Sequence, residues 1–161
     1  MVNGQDRDRV VAWGQELGAV HRRLRDALQF AREAVEDGTE TESLAKNLDL
    51  FCWGFCTALN GHHSSEDSAL FPLVLREAPD LASTIGKLVQ DHNMIAYLIV
   101  DLEKSLSAKS GQDVLLRHLD GIEAVMETHF RFEEKQLVGL LDGMARPIGD
   151  RDKTDLFGPI A

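Results

Sequence analysis

Cysteine is scarce in this chain: Cys52 and Cys56 are the only two among 161 residues. They stand in the run C-W-G-F-C, which is neither a C-x-x-C redox motif nor half of a zinc finger. Free cysteine is commonly a small buried residue, so we expect both side chains to pack in the core. A regulatory thiol pair is the less favoured alternative.

Basic residues and long apolar runs are also lacking. The chain has 17 Lys and Arg against 27 Asp and Glu, a net charge of −10, which disfavours nucleic acid or an anionic membrane as a partner. No apolar stretch has the length needed to span a bilayer, and the polar start MVNGQDRDR lacks the apolar core of a signal peptide. We therefore expect a soluble, cytoplasmic protein with no nucleic-acid and no membrane partner.

No segment shows the alternation typical of a strand, whereas apolar residues recur at helical spacing in four long segments. With 43% hydrophobic residues the chain can bury a real core as one domain. The sequence predicts an all-α four-helix bundle over residues 1–145 and a C-terminal tail over residues 146–161 with too little apolar periodicity to be helical. This tail is expected either to be loose or to dock on the bundle. Beyond the paired motif described below there is no internal repeat.

The four predicted helices are bounded by capping and breaking residues. They run from about Asp6 to Glu36, from Thr39 or Thr41 toward Phe71-Pro72, from Pro79-Asp80 to the break at Ser110-Gly111, and from Gln112 to Met144. Pro72 should kink or end the second helix, with a short helical piece through Leu75 after it, and Arg146-Pro147 should end the fourth. The predicted core residues are Trp13, Leu17, Leu24, Leu28, Ala31, Val35, Leu44, Leu48, Phe51, Phe55, Leu59, Ile85, Leu88, Ile95, Ile99, Leu102, Leu106, Leu115, Leu119, Ile122, Met126, Leu137 and Leu140.

One motif occurs twice, as H-H-S-S-E-D from His62 and as H-F-R-F-E-E from His129. In each copy a glutamate follows a histidine by four residues, which places both side chains on one face of a helix. At about 100° per residue, Glu66 and Glu133 fall near the centre of their apolar stripes, each with its histidine beside it. His63, Asp67 and Glu134 fall to one side.

Two further histidines point inward from the other helices. His92 continues the stripe of Leu88 and Ile95, and His21 lies at the edge of the stripe that contains Leu17. A single histidine among apolar neighbours is more often a hydrogen-bonded core residue than a ligand. A buried glutamate is harder to explain without a cation, because burial of a carboxylate is costly unless it is paired.

The competing structural interpretation is two buried Glu–His pairs that hold the bundle together without metal. We expect His63, Asp67 and Glu134 to be solvated or to contact the ligands from outside. His118 lies about three turns before His129, too far along the helix to share its metal. Imidazole and carboxylate without thiolate suit iron, manganese or zinc, and a carboxylate-bridged pair of iron ions is the arrangement that such bundles usually host.

These residues resemble the hemerythrin-like, or HHE cation-binding, family. The resemblance covers His21 to about Leu141 and lies in His21, the run H-H-x-x-E-D-x-x-L-F-P from His62, the pair Asp91-His92, and H-x-x-x-E-E from His129. It implies an up-down-up-down bundle and a non-haem pair of iron ions, bridged by an oxo or hydroxo group and two carboxylates, that handles dioxygen. By motif position it implies the metal ligands His21, His62, Glu66, His92, His129 and Glu133.

The sequence departs from the oxygen carriers of that family in two places. Their last carboxylate follows its histidine by five residues, which would select Glu134, but helix phase favours Glu133. Their third helix carries H-x-x-x-H, whereas Ala96 stands four residues after His92. Both ions are then expected to be partly open, unless His63 or a water replaces the missing histidine.

Three functions follow as hypotheses. The leading one is a diiron protein that binds or senses dioxygen, peroxide or nitric oxide. The second is a diiron oxidase, peroxidase or oxygenase, with the position left vacant at Ala96 admitting the oxidant or a small substrate. The third is an iron-storage or structural bundle. The sequence identifies no electron donor, and an exposed Trp13 or Trp53 would suit a homodimer as well as a monomer.

Overall fold

The computed structural model describes residues 4–144 and 153–160, with the side chains of residues 13–144 and 154–160. Over those residues the secondary structure is helical, with no strand. The helices are α1 (Gly4–Asp37), α2 (Glu42–Ser65), α3 (Phe71–Glu77), α4 (Ala82–Ser107), α5 (Gln112–Gly143) and α6 (Lys153–Phe157). A π-helical segment, Glu66–Leu70, joins α2 to α3, and a 3₁₀ turn, Pro79–Leu81, precedes α4.

The four long helices form the bundle that the sequence predicts. α1 and α4 each pack against both α2 and α5, so the apolar stripes of all four meet in one core. Nearly all of the predicted core residues are buried, and the all-α prediction is confirmed. Three of them are not fully inside: Leu44 and Leu140 are half-buried, and Phe51 is 39% exposed and packs beside Phe30 at the surface.

Local signals explain where the helices end. The hydroxyl of Thr41 accepts a hydrogen bond from the backbone N–H of Leu44 at 3.1 Å, which caps the start of α2. Gly38 follows the end of α1 at φ 81°, a conformation that suits glycine. The predicted break at Ser110-Gly111 is confirmed, since α4 ends at Ser107 and α5 begins at Gln112.

Pro72 perturbs its helix, but not by ending it. The chain stays helical through the proline, which lies in the first turn of α3, where its missing N–H is tolerated. The change comes over the preceding residues, where the turn widens and the N–H of Phe71 bonds to the carbonyl of Glu66. The widened turn therefore begins at Glu66, one of the predicted ligands.

The C-terminal residues differ from the sequence expectation. The prediction that the tail carries no helix is wrong over α6, whose Leu156 and Phe157 are fully buried. Two adjacent apolar residues suffice to anchor this short helix against α2 and the π segment, without a periodic pattern of their own. The predicted helix end at Arg146-Pro147 lies outside the described residues.

The tryptophans and cysteines are divided between surface and core. Trp13 is buried, which corrects the idea that it is an exposed dimer residue, whereas Trp53 is 38% exposed. Cys52 and Cys56 are free and fully buried, as predicted. No helix among the described residues is long and apolar enough to cross a membrane.

Candidate metal centre

Seven side chains from all four long helices and the π segment come together inside the bundle, each no more than 5% exposed. They form two groups, and within each group the ligand atoms all lie within 4.8 Å of one another. One group is His63, Glu66, His92 and His129, and the other is His21, His62, Glu66 and Glu133. Glu66 belongs to both groups, so the two lie side by side.

Short distances between imidazole and carboxylate define the centre. Nε2 of His62 lies 3.1 Å from Oε1 of Glu66, and Nε2 of His129 lies 3.0 Å from Oε2 of Glu133. These are the two pairs that the repeated motif predicts. The pairs are joined across the bundle, because Nε2 of His92 lies 3.4 Å from Glu66 and Nε2 of His21 lies 3.6 Å from Glu133.

Three of the imidazole rings are held from the outside through Nδ1. His92 donates to Asp67 at 2.7 Å, and His129 donates to Asp91 at 3.0 Å. His62 donates to the main-chain carbonyl of Phe157 at 2.7 Å. A neutral ring whose Nδ1 carries the proton presents a lone pair at Nε2, so all three rings present a metal-binding atom to the centre.

The other two rings are held by stacking. His21 lies flat on Phe130, with ring centroids 3.8 Å apart, and its Nδ1 is 3.3 Å from a carboxylate oxygen of Glu134. His63 lies flat on His92, with centroids 3.9 Å apart. Packing thus restricts both rings even where the hydrogen bonds to them are few.

Many polar atoms of the centre have no hydrogen bond of good geometry, although several lie 3.0 to 3.6 Å from an imidazole nitrogen or a carboxylate oxygen. They are both nitrogens of His21, Nε2 of His62 and His63, and all four carboxylate oxygens of Glu66 and Glu133. Buried polar atoms are ordinarily satisfied, because leaving one unpaired costs on the order of 1 to 3 kcal/mol. Cations held by the two groups would satisfy the atoms that face the centre, whereas Nδ1 of His21 faces Glu134.

The two glutamates do not ionise alike. Burial raises the pKa of Glu66 well above its ordinary value, and the charge of Glu133 raises it further. Burial also opposes ionisation of Glu133, but hydrogen bonding to Glu66, His129 and His21 outweighs it and holds the pKa of Glu133 well below its ordinary value. A metal cation beside the two carboxylates would favour the ionised form of both.

The pKa values of three histidines are shifted in directions that depend on their neighbours. Burial lowers the pKa of His62, and it lowers the pKa of His63 well below the ordinary value, with nearby histidines adding to the effect. Burial also opposes protonation of His92, but its hydrogen bonds to Asp67 and Glu66 outweigh burial and raise its pKa. His62 and His63 are therefore neutral at physiological pH, which is the form that binds metal.

The model of the hemerythrin HHE cation binding domain matches residues 15–141. The chain belongs to the hemerythrin HHE cation-binding family. The matched range contains all seven side chains of the centre. Comparisons with curated proteins and with solved structures found no match.

Within this hemerythrin-like bundle, all six ligands implied by the sequence lie in the two groups. Their actual coordination stays a prediction. Glu133, not Glu134, is the carboxylate that faces the other ligands, since Glu134 is 29% exposed and contacts His21 and Arg25 from outside. Asp67 also contacts its histidine from outside, as expected, and His118 lies away from the centre with Nε2 2.9 Å from the hydroxyl of Ser105.

His63 is the residue that helix phase misplaced. It was expected outside the first group, but it is 5% exposed and lies with Glu66, His92 and His129. An ideal helix directs it to one side of the stripe, and α4 packs on that side and covers it with His92. The doubled histidine was the available signal, and the hemerythrin-like centre has five imidazoles.

Ala96 is likewise misjudged by sequence comparison alone. It was treated as a vacancy in the centre, but its side chain is exposed. The buried stripe of α4 passes instead through Leu88, His92, Ile95 and Ile99. Ala96 therefore does not line the centre, and an open coordination position for an oxidant stays a prediction.

Proposed function

We propose that this hemerythrin-like protein holds two iron ions and binds, senses or reacts with dioxygen or a related small oxidant. The observation that supports the proposal is the pair of buried ligand groups that share Glu66. A single-ion site would need only one such group. Two groups that share one carboxylate suit a dinuclear site in a helical bundle.

The ligands divide naturally between the ions. His63, His92 and His129 would hold one ion, and His21, His62 and Glu133 would hold the other, with Glu66 available to both groups. Imidazole and carboxylate without thiolate suit iron, and manganese and zinc are the competing metals. Two ferrous ions, when bound, would supply the electrons that reduction of dioxygen or peroxide requires.

The chain's own residues would exclude water from the centre and orient the ligands. Burial excludes bulk water from the centre and keeps His62 and His63 neutral. Asp67 and Asp91 fix the orientation of His92 and His129 and make these imidazoles more basic. The protein would therefore present a rigid, dry ligand set that admits only small molecules.

The geometry favours binding or sensing over catalysis. The sequence argument for an enzyme was a vacancy at Ala96, but that residue is exposed, and His63 supplies a fifth imidazole to the centre. A better-filled ligand set leaves less room for a substrate beside the oxidant. A diiron oxidase, peroxidase or oxygenase and an iron-storage or structural bundle are the alternatives that the experiment below separates.

Location and partners are also part of the proposal. The net charge of −10 supports a protein without nucleic-acid or anionic-membrane partners, and we place it in the cytoplasm. An electron donor is required if the iron turns over. The exposed Trp53 is compatible with a monomer and with a homodimer, and measurement of the mass in solution distinguishes the two.

The test is anaerobic loading with ferrous iron, a metal count per chain, and optical spectra as oxygen and then peroxide are admitted. Two irons per chain and a visible band that reverses when oxygen is removed support binding or sensing. Two irons with repeated consumption of oxidant make the protein an enzyme. No stoichiometric iron overturns the proposal.

A matched variant pair separates a metal site from a structural pair of Glu–His contacts. Glu66→Ala combined with Glu133→Ala removes both carboxylates of the two ligand groups, and we expect it to abolish iron binding while the bundle still folds. Glu77→Ala, at the exposed end of α3, is the control. Unfolding of the double variant, when the parent chain never bound metal, would support the structural alternative.

A further inference from the structure

The C-terminal segment, residues 153–160, lies over the metal centre on the side of His62. Its helix α6 packs against α2 and against the π segment, which carry His62 and Glu66. Phe157 is fully buried, and its ring lies 5.6 Å from that of Trp13. The C-terminal segment is therefore part of the wall of the centre.

The main chain of this segment sets the orientation of His62. A carbonyl oxygen can only accept, so the 2.7 Å contact with Phe157 requires the proton of His62 on Nδ1. That leaves the lone pair on Nε2, directed to Glu66 at 3.1 Å. His92 and His129 take this support from aspartates of the bundle itself, but His62 takes it from the end of the chain.

The contact is close enough to need glycine. Gly158 has φ +92°, and a Cβ there would lie 2.8 Å from both Cα and N of His62. Backbone atoms cannot move away as the end of a flexible side chain can. Gly61 faces the same segment, since a Cβ on it would lie 3.1 Å from Cδ of Pro159. The two segments thus pack backbone against backbone beside a ligand.

We propose that the C-terminal segment is a clamp on the metal centre: the Phe157 carbonyl and the Gly158 contact position His62 and slow the release of the metal that it holds. This inference rests on the proposed function for the metal itself. The positioning of His62 rests only on contacts within the chain. Phe157 and Gly158 are thus positioning residues that act through His62.

The first test compares Gly158→Ala with Gly38→Ala. Both glycines have positive φ, +92° and +81°, so both variants carry the same kind of backbone strain. Nothing lies within 4 Å of a Cβ at position 38, whereas Gly158→Ala must push the segment away from His62. We expect Gly158→Ala to release iron to a chelator about 10- to 100-fold faster, as the loss of an outer contact to a ligand does. Gly38→Ala should release iron at the parent rate.

A second pair of variants, with a smaller expected effect on iron release, lies within α2. Gly61→Ala requires Pro159 to shift by a few tenths of an ångström, whereas Gly54→Ala, also in α2, adds a methyl group to open space. We expect faster iron release from Gly61→Ala, by less than from Gly158→Ala, and no change from Gly54→Ala. This pair keeps the inference testable if Gly158→Ala fails to fold.

A readout in the metal-free protein separates this inference from the proposed function. Nitrogen NMR of the His62 ring should show a proton fixed on Nδ1 in the parent chain and a mixture of both tautomers in Gly158→Ala. Absence of stoichiometric iron would overturn the proposed function and leave this ring measurement as the test of positioning. Parent-like tautomer and parent-like iron release in both Gly158→Ala and Gly61→Ala would overturn the clamp.

Discussion

His92 and His129 face each other across the bundle with their Nε2 atoms 3.1 Å apart, and the Nδ1 atom of each ring donates to an aspartate. In neutral rings this arrangement directs two lone pairs at each other, which is unfavourable unless a cation or a proton lies between them. Burial opposes protonation of His92, but its hydrogen bonds to Asp67 and Glu66 outweigh burial and raise its pKa, so a proton on Nε2 of His92 is one way to relieve this contact. A metal ion bound by both rings would displace it.

The aspartates behind these rings should control metal affinity. Asp91→Ala removes the acceptor for Nδ1 of His129, so the ring loses its fixed orientation and part of its basicity. We expect iron affinity to fall by about 10- to 100-fold, measured by competition with a chelator. Asp101→Ala is the control, because Asp101 lies on the same helix about 15 Å farther along. Equal iron affinity in both variants would mean that the contact between Asp91 and His129 does not support metal binding.

His63→Ala tests the fifth imidazole. Without His63, its group keeps only His92, His129 and Glu66. We therefore expect the iron ion of this group to be lost first, so that the iron count falls from two toward one per chain when free iron is limiting. Ser64→Ala, at the exposed neighbouring position, should keep both ions. A full count in His63→Ala would show that His63 only packs on His92 and that the six ligands implied by the sequence suffice.

The variants Glu133→Gln and Glu134→Gln test which of the two glutamates is the second carboxylate ligand. Glu133 is fully buried, with Oε2 3.0 Å from His129, whereas Glu134 is 29% exposed. We expect Glu133→Gln to lose iron and Glu134→Gln to keep it with at most a modest loss of affinity. The iron count after desalting measures both, and the reverse order would assign the ligand to Glu134.

The buried thiols should make the protein sensitive to alkali. Burial raises the pKa of Cys52 to about 11 and that of Cys56 to about 12, from 9.0 in each case. The unfolded chain therefore ionises first as pH rises above about 9, and the free energy of unfolding falls until the pH reaches the folded pKa values. For Cys52, the difference between a pKa of 9.0 and one of about 11 corresponds to about 3 kcal/mol.

Denaturant unfolding at pH 8 and pH 10 measures this effect. The variant with both Cys52→Ala and Cys56→Ala keeps every other alkaline titration and should lose less stability between the two pH values than the parent. A thiol reagent at pH 8 should also react with the parent only as fast as the chain unfolds. Rapid labelling in the native state would contradict the burial of both thiols.

Helical periodicity was a reliable guide to the fold because burial of an apolar stripe determines which face of a long helix points inward. The predicted stripes of α4 and α5 are buried almost to the last residue. Glu133 is buried on the stripe of α5, and Glu66 is buried where the stripe of α2 continues into the π segment. Phe51 was misplaced because one ring at the edge of a stripe can pack on a surface neighbour, here Phe30, as easily as in the core.

The sequence by itself determined the bundle, its core, its family and the six candidate ligand positions that the two motifs and two lone histidines indicate, since all of these depend on spacing along single helices. Only the tertiary structure decided that His63 is buried, that Ala96 faces solvent, and that the carbonyl of Phe157 supports His62. Each of these depends on which element packs beside a residue. Contacts between α4 and His63, or between residues 62 and 157, join parts of the chain whose proximity leaves no periodic trace in the sequence.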